Sequence, residues 1–176
     1  MDMLPLTQAL SRRAMLFGGT ASLVLAACSP GSDTANASPM PASFDDGDKW
    51  RAISDEEWRT RLSPLAFAVL REEATERPGT SPLNFEKREG TYACAGCELP
   101  LFDSSTKYDS RTGWPSFFDV LPGAVGTKVD NKLWIPRTEY HCARCGGHQG
   151  HVFNDGPRPT GLRYCNNGVA LKFIPA

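Results

Sequence analysis

Large apolar residues are spread along this chain in four different ways, and each pattern predicts a different kind of structure. From Ala14 to Ala27 they form one short run. From 29 to 48 they give way to Ser, Pro, Gly, Asp and Ala, with only Met40 and Phe44 left. From Trp58 to Val69 they recur at helical spacing, and from Phe85 onward they lie in short extended segments between turn signals.

The helical stretch carries its own start signals. Ser54-Asp55-Glu56-Glu57 is a capping box, with Glu57 three residues after the cap and acids at the positive helix end. It predicts a short helix to about Leu62. Ser63-Pro64 then offers a second cap with proline in the first turn, and Leu65, Ala68, Val69, Glu72 and Glu73 predict a second helix that Pro78-Gly79 stops. Trp58, Leu62, Leu65, Phe67 and Val69 are expected to pack on the main domain. Beyond them, Thr91–Ala93, Phe117–Val120, Lys132–Tyr140, Leu162–Asn166 and Val169–Ile174 read as strands, so the domain is expected to be mainly β.

The first two patterns set the organisation. Arg12-Arg13 followed by the fourteen-residue run Ala14–Ala27 is too short to span a bilayer and predicts an export signal over 1–27. Ser11–Leu16 resembles a twin-arginine signal, and Leu25-Ala26-Ala27-Cys28 resembles a lipobox, which would make Cys28 a lipidated mature N-terminus. Secretion by the general route with an incidental cysteine, or a short buried helix, are the alternatives. Residues 28–48 cannot bury enough area to offset their ordering entropy and read as a tether, leaving 49–176 as one domain. The implied location is the periplasm or cell envelope, with membrane contact only through that anchor.

Composition narrows the function. In 176 residues, 40% hydrophobic content supports a real core, and a net charge of −1 without a basic run argues against nucleic acid. The six cysteines include two Cys-x-x-Cys pairs, Cys94/Cys97 and Cys142/Cys145, and two singles, Cys28 and Cys165. Four thiolates on two tight turns satisfy tetrahedral Zn²⁺ and leave no open position, a structural site. An exported chain also allows disulfides, and Cys-x-x-Cys also serves redox chemistry. Neither pair precedes a helical pattern, which favours zinc.

Two further stretches carry candidate chemistry. Gly113-Trp114-Pro115 sets a large aromatic in a loop, either as core or as the wall of a site for an apolar group with a polar tip. His148–Cys165 holds two histidines on a loop, Asp155, Arg163 and an unpaired cysteine on a strand. Cys165 is either a small buried hydrophobe or a nucleophile whose thiolate a nearby cation favours. Asp155 is placed to orient a histidine.

Cys-Ala-Gly-Cys, Gly-Trp-Pro-Ser-Phe, Cys-Ala-Arg-Cys-Gly, Gly-His-Val-Phe-Asn-Asp-Gly-Pro and Pro-Thr-Gly-Leu-Arg-Tyr-Cys, in this order over roughly residues 50–174, resemble the methionine sulfoxide reductase B family. The resemblance implies reduction of the R epimer of methionine sulfoxide in peptides and proteins. It implies Cys165 as the nucleophile, and Trp114 and Phe153 as walls for the S-methyl group. His148 and His151 would act at the sulfoxide oxygen, with Asp155, Arg163 and Asn167 orienting that network, and Cys165 would finish as a sulfenic acid. It also implies a mainly β (α+β) fold of small coiled antiparallel sheets around zinc, of the Mss4-like or β-tent type, with two short N-terminal helices outside.

No nicotinamide or flavin motif is present, so electrons are expected from thiols. Relatives often carry a resolving cysteine where this chain has Thr112, and Gln149 and Asn166-Asn167-Gly168 also differ from common family choices. With four cysteines on zinc and Cys28 lipidated, an external thiol or a thioredoxin-like donor is expected to regenerate Cys165, in a monomer. A zinc-ribbon interaction module and a secreted thiol–disulfide oxidoreductase are the rival readings; the first is opposed by the negative charge and leaves Trp114, His148, His151 and Cys165 unexplained.

Overall fold

A computed structural model describes residues 46–176; the expected export signal, Cys28 and most of the tether lie outside the described residues. Three helices open the described part: α1 (Gly47–Arg51), α2 (Asp55–Arg61) and α3 (Pro64–Glu72). The capping signals act as expected. Ser54 Oγ accepts from the Glu57 amide and Ser63 Oγ from the Ala66 amide, each at 3.2 Å, and Pro64 opens α3. The short α1, which the sequence pattern did not indicate, stacks Trp50 on Trp58.

α3 stops well before Pro78-Gly79. Glu73 turns left-handed (φ 56°) and ends it, its amide and that of Ala74 both donating to the Ala68 carbonyl oxygen, while its carboxylate binds Lys128 and Lys132. The chain then runs through Thr75 and Glu76 along the larger sheet. Trp58, Phe67, Val69 and Leu70 are buried as the helix packing requires, but Leu65 faces outward and is half exposed.

Nine strands follow: β1 (Gly90–Cys94), β2 (Pro100–Asp103), β3 (Lys107–Tyr108), β4 (Ser116–Phe117), β5 (Val125–Asp130), β6 (Arg137–Cys142), β7 (His148–Phe153), β8 (Arg163–Asn166) and β9 (Leu171–Pro175). They form a three-stranded sheet, β2-β1-β9, and a six-stranded sheet, β3-β4-β8-β7-β6-β5, with antiparallel pairing throughout. Aromatic rings join the sheets: Phe102 stacks on Phe117 at 4.1 Å between centroids, and Tyr92 meets Phe117 edge-on at 4.9 Å. Each such contact contributes roughly 0.5–1.5 kcal/mol beyond the area it buries.

The mainly β expectation holds, with four local corrections. His148 and His151 sit on β7, not on a loop, because β7 is paired on both sides, to β6 and β8. Gly150 lets it approach so closely: a Cβ there would meet the Cys165 carbonyl oxygen at 1.9 Å. The expected strand Lys132–Tyr140 begins only at Arg137, since Leu133, Trp134 and Ile135 lie in an exposed connection. Phe117–Val120 contracts to two residues, and Val169–Ile174 begins with a 3₁₀ turn over Gly168–Ala170.

Candidate active site and metal centre

β8 has neighbours on both sides, and Cys165 stands opposite Ser116 of β4 and His151 of β7. A pocket of about 110 Å³ opens there, lined by Thr75, Trp114, Arg137, Gly150, His151, Phe153, Cys165, Asn166 and Asn167. Five expected site residues therefore meet from distant stretches: Trp114, His151, Phe153, Cys165 and Asn167.

Trp114 is an anchored wall, not core filling. Its Nε1–H donates to the Glu76 backbone oxygen at 3.1 Å. Asn167 ties the same segment down, its Oδ1 accepting from the Glu76 amide at 2.9 Å and its Nδ2–H donating to the Gln149 oxygen at 3.0 Å. Glu76 itself is buried, and its carboxylate accepts from the amides of Gly168 (2.6 Å) and Val169 (3.0 Å).

The histidines divide. His151 lines the pocket, and its Nε2 lies 2.7 Å from Asp130 Oδ2, an oxygen that also takes Arg137 at 2.5 Å. Burial holds the His151 imidazolium below its usual range, with Arg137 and His148 adding to the effect while Asp130 opposes it. Asp130 is held well below the usual carboxylate range by the Lys132 amide, His151 and Arg137. It is therefore ionised, and the neutral His151 donates Nε2–H to it, leaving the lone pair on Nδ1. His148 lies behind, 5.5 Å from the His151 ring centre, buried with its Nδ1 3.0 Å from Glu139 Oε1. It is absent from the pocket lining.

Asp155 does not orient a histidine. Its exposed carboxylate makes a two-point pair with Arg163, both bonds 2.8 Å, and Arg163 lies 4.3 Å over the Phe153 ring. The carboxylates that face the histidines are Asp130 and Glu139, which the sequence reading missed. They come from β5 and β6, and only the strand register brings Glu139 opposite His151.

The Cys165 thiol is pushed up by burial, and Arg163, Thr112 and Ser116 pull it part of the way back. Arg163 thus favours the thiolate without overcoming desolvation. Thr112 Oγ1 is 4.0 Å from Cys165 Sγ and begins a hydroxyl relay: Ser110 Oγ lies 2.8 Å from Thr112 and 2.7 Å from buried Ser116.

Behind β7, Cys94, Cys97, Cys142 and Cys145 bring four buried sulfurs within 4.8 Å of one another. Cys94 and Cys145 are 3.7 Å apart, Cys97 and Cys142 3.5 Å, and none of the four is in a disulfide. Zinc–sulfur bonds of about 2.3 Å give a tetrahedron with edges of about 3.8 Å, so the cluster fits a tetrahedral metal. The Gly147 amide donates to Cys145 Sγ and Gln149 Nε2 to Cys94 Sγ, both at 3.4 Å, as thiolates require. Gln149 is fully buried beside the pocket residue Gly150 and so joins the two sites.

Comparison with known proteins agrees with this geometry. The SelR domain family model matches residues 62–175. The peptide methionine sulfoxide reductase MsrB of Leifsonia xyli is 55% identical over 126 residues, covering 70% of this chain and 91% of the relative. The MsrB of Agrobacterium fabrum is 53% identical over 123 residues, covering 69% and 91%. The chloroplastic peptide methionine sulfoxide reductase B1 of Arabidopsis thaliana is 45% identical over 142 residues, covering 79% and 70%. The match spans the metal cluster, Trp114, His151 and Cys165 alike, and the chain belongs to the SelR-domain family of methionine sulfoxide reductases B, enzymes that reduce peptide methionine sulfoxide.

Proposed function

We propose that the chain reduces the R epimer of methionine sulfoxide in peptides and proteins through Cys165. The carrying observation is that Trp114, His151 and Cys165 face one small pocket, which pairs an apolar wall with a nucleophile and a proton carrier. The S-methyl group lies against Trp114 and Phe153, and the sulfoxide oxygen is turned toward His151.

The Cys165 thiolate attacks the sulfoxide sulfur while a proton reaches the oxygen through His151. Asp130 stabilises the imidazolium during that transfer, and His148 acts on His151 from behind. The new sulfur–sulfur bond and the methionine sulfur–oxygen bond then break as the hydroxyl passes to Cys165: the methionine sulfur keeps the electron pair and gains two electrons, and the Cys165 sulfur loses two and ends as a sulfenic acid. Two external thiols, or one thioredoxin-like dithiol, then restore Cys165 and release water and a disulfide. What supports an external donor is that, among the described residues, the other four cysteines lie in the metal cluster and Cys165 has a threonine hydroxyl beside it. Zinc, held by those four thiolates, would brace the turns behind β7 and supply no redox chemistry.

The test is turnover of the separated R and S sulfoxides of a blocked methionine, with Cys165→Ser as control. Reduction of the R epimer alone, lost in the Ser variant, is expected. Turnover of neither epimer, a preference for S, or an active Ser variant sinks the reading. Export with lipidation at Cys28 rests on the sequence pattern; release of the protein from the membrane fraction by Cys28→Ala tests it.

A further inference from the structure

The connection between β5 and β6 carries Asn131-Lys132-Leu133-Trp134-Ile135-Pro136, and all six residues are exposed. Hairpin connections ordinarily take small polar residues. Here Trp134 is fully exposed, Ile135 is 75% and Leu133 56% exposed, and Val129 at the end of β5 is 67% exposed. Single exposed apolar residues need no explanation, but a run of three at one tip, continued by Val129, marks a contact surface.

The stem of this hairpin is built into the active site. Asp130 and Arg137 are the paired residues that close it. Asp130 holds His151, and Arg137 lines the pocket while bonding Asp130. The tip extends at most three residues, about 10 Å of chain, beyond that pair. A pocket of about 110 Å³ admits one side chain, so the rest of a polypeptide substrate must lie outside it. An extended peptide carries its neighbours about 3.3 Å apart, which sets residues up to three away from the sulfoxide at the level of the tip.

We infer that Leu133, Trp134 and Ile135 form an apolar lip that docks the residues flanking a methionine sulfoxide in unfolded polypeptide, raising the enzyme's efficiency on such chains over free or blocked methionine sulfoxide. The inference rests on the reductase reading above. Methionine lies mostly in apolar surroundings, so a segment exposed by unfolding brings apolar neighbours to this lip. A lipid surface is the competing occupant. It is disfavoured because the lip is carried by the Asp130–Arg137 pair at the pocket, where a bilayer would obstruct substrate entry.

The experiment uses the full chain with Cys28→Ala, so that lipidation does not itself carry it to vesicles, with and without Leu133→Ser, Trp134→Ser and Ile135→Ser together. Two substrates are compared, peroxide-oxidised casein and the R sulfoxide of blocked methionine, and both proteins are tested for flotation with phosphatidylethanolamine–phosphatidylglycerol vesicles. The expected result is a fall of about tenfold or more in kcat/KM on casein, the scale of losing one buried apolar side chain. Turnover of blocked methionine sulfoxide should stay within about twofold, since the tip touches nothing in the pocket. Equal losses on both substrates, or no loss on casein, overturn the inference. Loss of vesicle binding with casein turnover intact overturns it in favour of a membrane. If the unmodified chain fails on both substrates, the reductase reading itself has failed.

Discussion

Thr112 and Cys165, 53 positions apart in sequence, face each other across the β4–β8 edge with Oγ1 and Sγ 4.0 Å apart. The hydroxyl occupies the place from which a thiol would reach a Cys165 sulfenic acid. Thr112→Cys should therefore give an internal disulfide to Cys165 after one turnover, while the unmodified chain holds a sulfenic acid that dimedone labels. Mass spectrometry after a single turnover checks this. Continued dimedone labelling in the variant would mean that the two positions do not close on each other.

Glu76 is both a stability element and a wall support. Its buried carboxylate accepts two amide hydrogen bonds, and its backbone holds Trp114 and Asn167. Hydrogen bonds to a charged group contribute about 1.5–3 kcal/mol each, so Glu76→Ala should lose roughly 3 kcal/mol in urea unfolding and raise KM through a loosened Trp114. Glu76→Gln keeps an acceptor for one amide and should lose less.

The titrations carry opposite signs. His151 is held below its ordinary value, so its neutral form is favoured in the folded state. That contribution is complete above the ordinary histidine range and is lost as pH falls from about 6.5, because the unfolded chain takes up the proton first. Asp130→Asn removes the partner that supports the imidazolium and should move the His151 titration lower still, as its ring NMR signals would report. Cys165 is shifted upward, so its alkylation by iodoacetamide should accelerate only above the ordinary thiol range. Arg163→Ala should move that onset further up.

Removing the metal should unfold the domain. Structural zinc contributes about 10–16 kcal/mol in small sites near neutral pH, more than a domain's usual margin. Chelation is expected to collapse the melting transition and release close to one zinc per chain, read together by calorimetry and elemental analysis. Gln149→Ala removes the Nε2 donor to Cys94 and should speed chelation without abolishing metal binding.

Short-range chemistry was legible in the residue order, and pairing was not. Ser54 and Ser63 announce their helices because a cap acts within three residues. The four metal-type cysteines announce themselves because each pair makes its own turn. Asp130 and Glu139 gave no such signal, since they reach the histidines only through the register of β5, β6 and β7. Asp155 misled for the same reason: near His151 in sequence, it is drawn to Arg163 across the β7–β8 connection. The run Leu133–Ile135 imitated a buried strand because hydrophobicity alone does not distinguish a core from a surface that awaits a partner.

The bonds from Glu76 to Gly168 and Val169 join residues 92 and 93 positions apart. During synthesis the segment that will hold Trp114 emerges about ninety residues before the amides that hold Glu76. A chain interrupted before Gly168 would keep the four clustered cysteines, Cys165 and the bonds of Glu76 to Trp114 and Asn167, yet leave the Glu76 carboxylate buried without the two amides that offset its burial.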